Sequence, residues 1–170
     1  VGGIFIAWVD PPHDAEPKKR FWEIVRAASA ELLQNRDLLA IVRNEKEFSD
    51  AVAANQLAVV MGIEGLSGIE DELDSLYPLY LMGFRHCSLT WNEQNALATG
   101  VRGDENRGLT DKGREAIRII EELGMVLDTS HLNEKSFWDV IEAANGPVIA
   151  SHSNVRAICD VPRNLTDEQI

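Results

Sequence analysis

The stretch from Met125 to Ser153 constrains the fold more than any other part of the sequence. MVLDTSH closes on His131 and PVIASHS closes on His152, and each reads as a short apolar strand ending in histidine. The intervening LNEKSFWDVIEAANG places Phe137, Val140, Ile141 and Ala144 at i, i+3, i+4 and i+7, the spacing of one helix face. Strand, helix and strand with so short a crossover form a βαβ unit, whose strands are parallel neighbours. Both histidines then stand at C-terminal strand ends, on the rim where α/β folds gather their ligands and catalytic groups.

The rest of the chain repeats the alternation. Gly3 to Val9 and Leu57 to Ile63 read as strands, the second continuously apolar as a strand covered on both faces should be. Phe84 to Thr90 is a further strand, followed by a polar segment, Trp91 to Arg107, too long for a tight connection. Helices are predicted from about Pro17 to Val42, over Glu45 to Ala54 and Glu70 to Leu81, and from Asp111 to Leu123 between an N-capping Thr110 and a C-capping Gly124. Such alternation means a parallel α/β sheet, either open and doubly wound or part of a (β/α)8 TIM-type barrel. No strand is followed by a phosphate-binding glycine pattern. Polar residues instead follow nearly every strand: Asp10, Glu64, Trp91-Asn92, His131 and Ser151-His152. That spread around a rim favours the barrel, here an incomplete one of about five βα units.

Composition closes off other classes. A net charge of -12 argues against nucleic acid, which needs a basic face. No apolar run approaches the ~20 residues of a membrane span. Two cysteines, Cys87 and Cys159, make no disulfide framework and are expected as reduced core thiols, which suits the cytoplasm.

Glu64, His131 and His152 each follow an apolar strand on a different βα loop. A lone histidine is more often a hydrogen-bonded structural residue than a ligand. Three such residues at equivalent strand ends point to metal ligation, since two neutral imidazoles and a carboxylate suit Zn²⁺ or a similar ion. His86, in mid-strand, reads as structural, His13-Asp14 as a surface turn, and Asp128 either as a partner of the site or as a plain buried acid.

The segments GIEG (62–65), FRHCSLTWNEQN (84–95), GLTDKG (108–113), GMVLDTSH (124–131), PVIASHSNVRAI (147–158) and PRNLTDEQ (162–169) together resemble the renal or membrane dipeptidase family of zinc peptidases. The opening GGIFIAWVD is similar to that family's second strand. The resemblance implies a (β/α)8 barrel with two zinc ions at its C-terminal rim. It implies that Glu64 bridges them, that His131 and His152 hold the second ion, and that Arg163 binds the substrate's terminal carboxylate. A guanidinium suits that task as a planar, permanently charged fork. The activity implied is hydrolysis of small dipeptides by a hydroxide held between the metals, with Glu64 and Arg163 as the catalytic groups.

Three departures follow. The family's H-x-D motif, which holds the first zinc, would precede residue 1, and its late acidic residue would follow residue 170. On this reading, residues 1–170 are one metallo-dipeptidase-like domain truncated at both ends. Trp91 stands where the mammalian enzymes carry a substrate-contacting histidine, so Trp91 and Asn92 are expected to line the substrate pocket. Two other readings remain open: a barrel hydrolase of cyclic amides or lactones, which needs no carboxylate anchor, and an inactive metal-binding fragment that buries its open sheet edges in a homodimer.

Overall fold

A computed structural model describes residues 1–170. Six strands form one parallel sheet: Gly2–Trp8 (β1), Leu39–Ile41 (β2), Leu57–Glu64 (β3), Phe84–Ser88 (β4), Val126–Asp128 (β5) and Val148–Ile149 (β6). The continuous order is β1-β3-β4-β5-β6, with β2 pairing the start of β3. Helices Pro17–Gln34 (α1), Glu45–Ala53 (α2), Leu76–Met82 (α3), Asp111–Leu123 (α4) and Glu134–Ala143 (α5) fill the crossovers. This is the parallel α/β architecture of the (β/α)8-barrel type.

Strand register sorts the side chains into two faces. One row runs Ala7, Ile63, Cys87, Leu127, Val148 across the five strands. Its first three members are wholly buried and Leu127 nearly so, packed beneath the helices. Side chains alternate along each strand, so the rows on either side of this one present the opposite face. The row above runs Trp8, Glu64, Ser88, Asp128, Ile149, and the row below includes Ile6, Gly62, His86 and Val126. The polar site residues Glu64, Ser88 and Asp128 therefore gather at the C-terminal end of that opposite face.

The helices reach the core along narrow stripes. Phe21, Val25, Ala28 and Leu32 of α1 are buried, as are Ala116, Ile117, Ile119 and Ile120 of α4. Both contribute to a single hydrophobic cluster of 27 residues. Thr110, Asn44 and Asn133 cap α4, α2 and α5 by accepting the amide protons of Gly113, Glu47 and Ser136. Each such cap is worth about 1 kcal/mol.

The structure differs from the sequence reading in local detail. The first helix stops at Gln34 rather than Val42, and Leu39–Ile41 become β2. β1 occupies one edge of β3, which leaves the other edge open at Leu57–Val59, ahead of β4; pairing there outweighs the helical periodicity that extended to Leu39. In α2 only Ala51 is buried, while Phe48 and Val52, which its i, i+3, i+4 apolar spacing predicts to face inward with Ala51, are exposed. In α3 the inward positions are Leu76 and Leu79, with Tyr77 turned outward. Ile141 of α5 is likewise exposed. Both cysteines are free, but only Cys87 lies in the core, where burial pushes its thiol up to about 12; Cys159 is exposed. No helix is long and apolar enough to cross a membrane.

Candidate metal centre

Glu64 is the last residue of β3, and a glycine in the left-handed region follows it. Gly65 adopts φ +80, and a Cβ there would stand 2.9 Å from the Trp91 amide nitrogen. A side chain at 65 would thus be strained and would push the loop after β4 off the rim.

His131 and His152 do not end their strands as the sequence implied. Each lies three residues beyond, in a turn. His131 holds φ +74, a conformation that costs a non-glycine residue energy and persists where the surroundings over-determine it. Its surroundings do so: its carbonyl accepts from Val101 N–H at 2.9 Å, and its Nδ1 lies 2.9 Å from Asn92 Oδ1. The long polar segment predicted over Trp91 to Arg107 is therefore an ordered platform. Arg107 ties it together by donating to the carbonyls of Ala98 and Asn95 and to Thr99 Oγ1.

The outcome is a convergence of donor atoms. His131 Nε2 lies 2.6 Å from Glu64 Oε1, His152 Nε2 lies 3.1 Å from the same oxygen, and the two Nε2 atoms are 2.7 Å apart. Asn92 Oδ1 is an acceptor, so His131 Nδ1 carries a proton toward it, and Nε2 would offer its lone pair to a cation that displaced any proton there. Opening the trio by less than about 1 Å gives the spacing of ligands around a tetrahedral ion with bonds near 2.1 Å. Burial raises the Glu64 pKa, but hydrogen bonds and charge from His131 and His152 outweigh it and hold the carboxyl below its ordinary value. The donor set therefore fits a divalent cation of zinc's kind.

A buried network stands behind the trio. Asp128 is fully buried and accepts four donors: Ser130 N–H (2.9 Å) and Ser151 N–H (3.1 Å) at Oδ1, His86 Nε2–H (2.8 Å) and the Ser151 hydroxyl at Oδ2. Burial alone would raise its pKa; the hydrogen bonds from His86, Ser151 and Ser130 overcome that and hold the carboxyl far below the usual carboxylate range. Ser151 Oγ in turn lies 2.7 Å from His152 Nδ1.

The other expected residues surround the trio. Arg163 donates to the His152 carbonyl at 3.0 Å and to Ser153 Oγ at 3.2 Å, which sets its half-buried guanidinium beside the ligands. Desolvation lowers its pKa, and the charges of Glu64 and Asp128 act in the opposite direction. The Trp91 ring lies 6.1 Å from the His131 ring and 5.1 Å from Trp8, so two indoles wall one side. Asn92 is buried, with its carboxamide turned to His131. His13 sits in an exposed turn outside the site. Ser151 and the partners of Asp128 were the residues least visible in sequence; the available signals were a hydroxyl directly before His152 and an acid three residues before His131.

A parallel barrel-type sheet with two imidazoles and a carboxylate converging on its C-terminal rim defines an α/β protein with a candidate metal centre. Residues 4–170 match the membrane dipeptidase family, peptidase family M19, and the chain belongs to that family. It is 42% identical over 120 residues to a Klebsiella pneumoniae protein encoded in the region 5′ of pqqA, covering 67% of this chain and 44% of that protein. It is 29% identical over 182 residues to the dipeptidase verJ of Clonostachys rogersoniana, covering 99% of this chain and 47% of that one. A metallopeptidase from Rhodobacter sphaeroides, solved with a phosphinate mimic of the dipeptide L-Ala-D-Ala, superposes with a TM-score of 0.85 at 28% identity, covering 99% of this chain and 57% of that one. The chain spans about half the length of the curated relatives it matches.

Proposed function

We propose that this chain carries the ligand half of a zinc-dependent dipeptidase site. The observation that carries the reading is the meeting of His131 Nε2, His152 Nε2 and Glu64 Oε1 at one point. Both histidine contacts go to Glu64 Oε1, and Glu64 would be the residue that holds both ions in the dinuclear arrangement that the family resemblance implies. Zinc bound by these residues supplies Lewis acidity toward the scissile carbonyl and lowers the pKa of water.

The chain's own residues orient the substrate. A guanidinium has five N–H donors, and Arg163 commits one on each terminal nitrogen to Ser153 and His152. The remaining donors form a fork for the dipeptide's C-terminal carboxylate. Trp8 and Trp91 exclude water along one wall, where a small side chain packs. The verJ relative's designation as a dipeptidase and the dipeptide mimic in the Rhodobacter sphaeroides enzyme support this substrate class.

The test is hydrolysis by the zinc-supplemented protein of dipeptides, of the same dipeptides as C-terminal amides, and of a lactone. Cleavage of free dipeptides alone is the expected result. Equal cleavage of the amides, or turnover of the lactone in their place, would move the assignment to the cyclic-amide or lactone hydrolases.

A further inference from the structure

We propose that Arg102 is a specificity-determining residue that selects dipeptides carrying a second, side-chain carboxylate, an assignment that rests on the dipeptidase reading of the site. Arg102 leaves the loop after β4 at the point where that loop is tied to the site. Val101 N–H donates to the His131 carbonyl and Arg102 N–H to the Asn92 carbonyl, each at 2.9 Å. Gly100 makes this approach possible, since a Cβ there would stand 2.3 Å from the Trp91 carbonyl oxygen. The Arg102 guanidinium lies over the Trp91 ring, 5.6 Å from its centroid, within the range of a cation–π contact. Trp91 is also the indole nearer His131, with ring centres 6.1 Å apart. A permanent positive charge is thereby held against the wall of the candidate pocket.

No carboxylate of the chain claims that charge, although the chain carries 28 acidic residues against 16 basic ones. Two acids close to Arg102 in sequence are engaged with backbone amides instead. Glu93 Oε1 accepts from Trp91 N–H at 3.3 Å, and Asp104 Oδ1 accepts from Asn106 N–H at 2.9 Å. Arg107, five residues on, spends its guanidinium on Asn95, Ala98 and Thr99 and so serves the loop. Arg163 spends part of its own on the His152 turn. Arg102 alone of the three keeps its whole fork exposed and uncommitted. A planar fork of N–H donors matches a carboxylate. With Arg163 assigned to the terminal carboxylate, the group left for Arg102 is a carboxylate on a substrate side chain.

The test compares Glu-Ala with Gln-Ala, and Ala-Glu with Ala-Gln, on zinc-loaded protein. The readout is kcat/KM where the dipeptides are cleaved and Kd by calorimetry where they are not. In wild type the Glu member of one pair is expected to be favoured about 5-fold, the upper end for an ion pair open to water. The pair that shows the preference identifies which substrate residue faces Arg102. The ratio should fall toward one in Arg102→Gln and be partly kept in Arg102→Lys, which retains the cation without the fork. Added salt should erode the preference in wild type, because exposed charges are screened, and leave the Arg102→Gln ratio where it is. Cleavage with no preference in wild type, or with the same preference in Arg102→Gln, overturns the proposal and leaves the dipeptidase reading standing. An Arg102-dependent preference in binding by a protein that cleaves no dipeptide upholds the role of Arg102 and overturns the dipeptidase reading. Absence of both binding and cleavage overturns the two together.

Discussion

Glu64 Oε1 and His131 Nε2 stand 2.6 Å apart although β4 lies between the strands that carry them. The pair is made by register. Glu64 and Asp128 occupy one row across the sheet, and the turn after Asp128 carries His131 back over Ser88 toward Glu64. Replacing Glu64 by Gln keeps the shape and removes the charge. Zinc affinity should fall by more than about 100-fold, beyond the range typical of residues that only support a ligand. Titration of metal-free protein with zinc against a chelator measures it, and an unchanged affinity would remove Glu64 from the site.

Asn92 gives a graded version of the same test. Its Oδ1 takes the Nδ1 proton of His131, so Asn92→Ala should weaken zinc binding about 10- to 100-fold. Asn92→Asp keeps an acceptor there and should retain most of the affinity. Equal affinities in all three proteins would reduce Asn92 to a packing residue against the loop.

How far the sequence predicts this arrangement differs by level. Alternating apolar segments are local, so the parallel sheet and its rim were legible, and with them Glu64, His131 and His152. Register is not local. Nothing near Gly62 in the chain indicates that His86 lies beside it, and nothing near His86 indicates Asp128. The strand at Leu39–Ile41 was hidden for the same reason: its stripe fits a helix until the open edge of β3 is known. Asn92 was legible as a polar residue at the rim, whereas its orientation depends on the left-handed turn at His131, which no residue preference announces.

Gly62 links the sheet to the site. A Cβ there would lie 2.8 Å from both His86 Nδ1 and Ile6 Cδ1. The Ile6 end can shift, but His86 is held by its bond to Asp128. Gly62→Ala should destabilise the protein by about 1–3 kcal/mol and, by displacing His86, weaken zinc binding as well. Denaturant unfolding and zinc titration of the one variant check both; a loss of stability with full zinc affinity would separate the sheet from the site.

Acid stability follows from Asp128. Its folded pKa is depressed below the unfolded value of about 3.9 by the donors of His86, Ser151 and Ser130, against the opposing effect of burial. A depressed carboxylate contributes stability above its unfolded pKa and loses it as pH falls toward its folded pKa. The wild type should therefore weaken progressively below about pH 4. Asp128→Asn should be less stable at neutral pH by about 2–4 kcal/mol, because an amide cannot accept from four donors, and its acid limb should be shallower. Urea midpoints measured from neutral to acidic pH give both slopes, and parallel curves would place the acid-sensitive group elsewhere.

Arg163 distinguishes the substrate classes. Its contacts to His152 O and Ser153 Oγ fix the guanidinium plane, and a lysine cannot reproduce them together with a two-point grip on a carboxylate. Arg163→Lys should therefore raise KM for a free dipeptide about 10-fold or more, as loss of a charged hydrogen bond worth about 1.5–3 kcal/mol requires. A dipeptide amide, which lacks the carboxylate, should be a poor substrate for both proteins and should be turned over by each at a similar rate. If the substitution instead slows free dipeptide and amide in the same proportion, Arg163 acts by holding the His152 turn in place. The carboxylate anchor would then have to come from another residue.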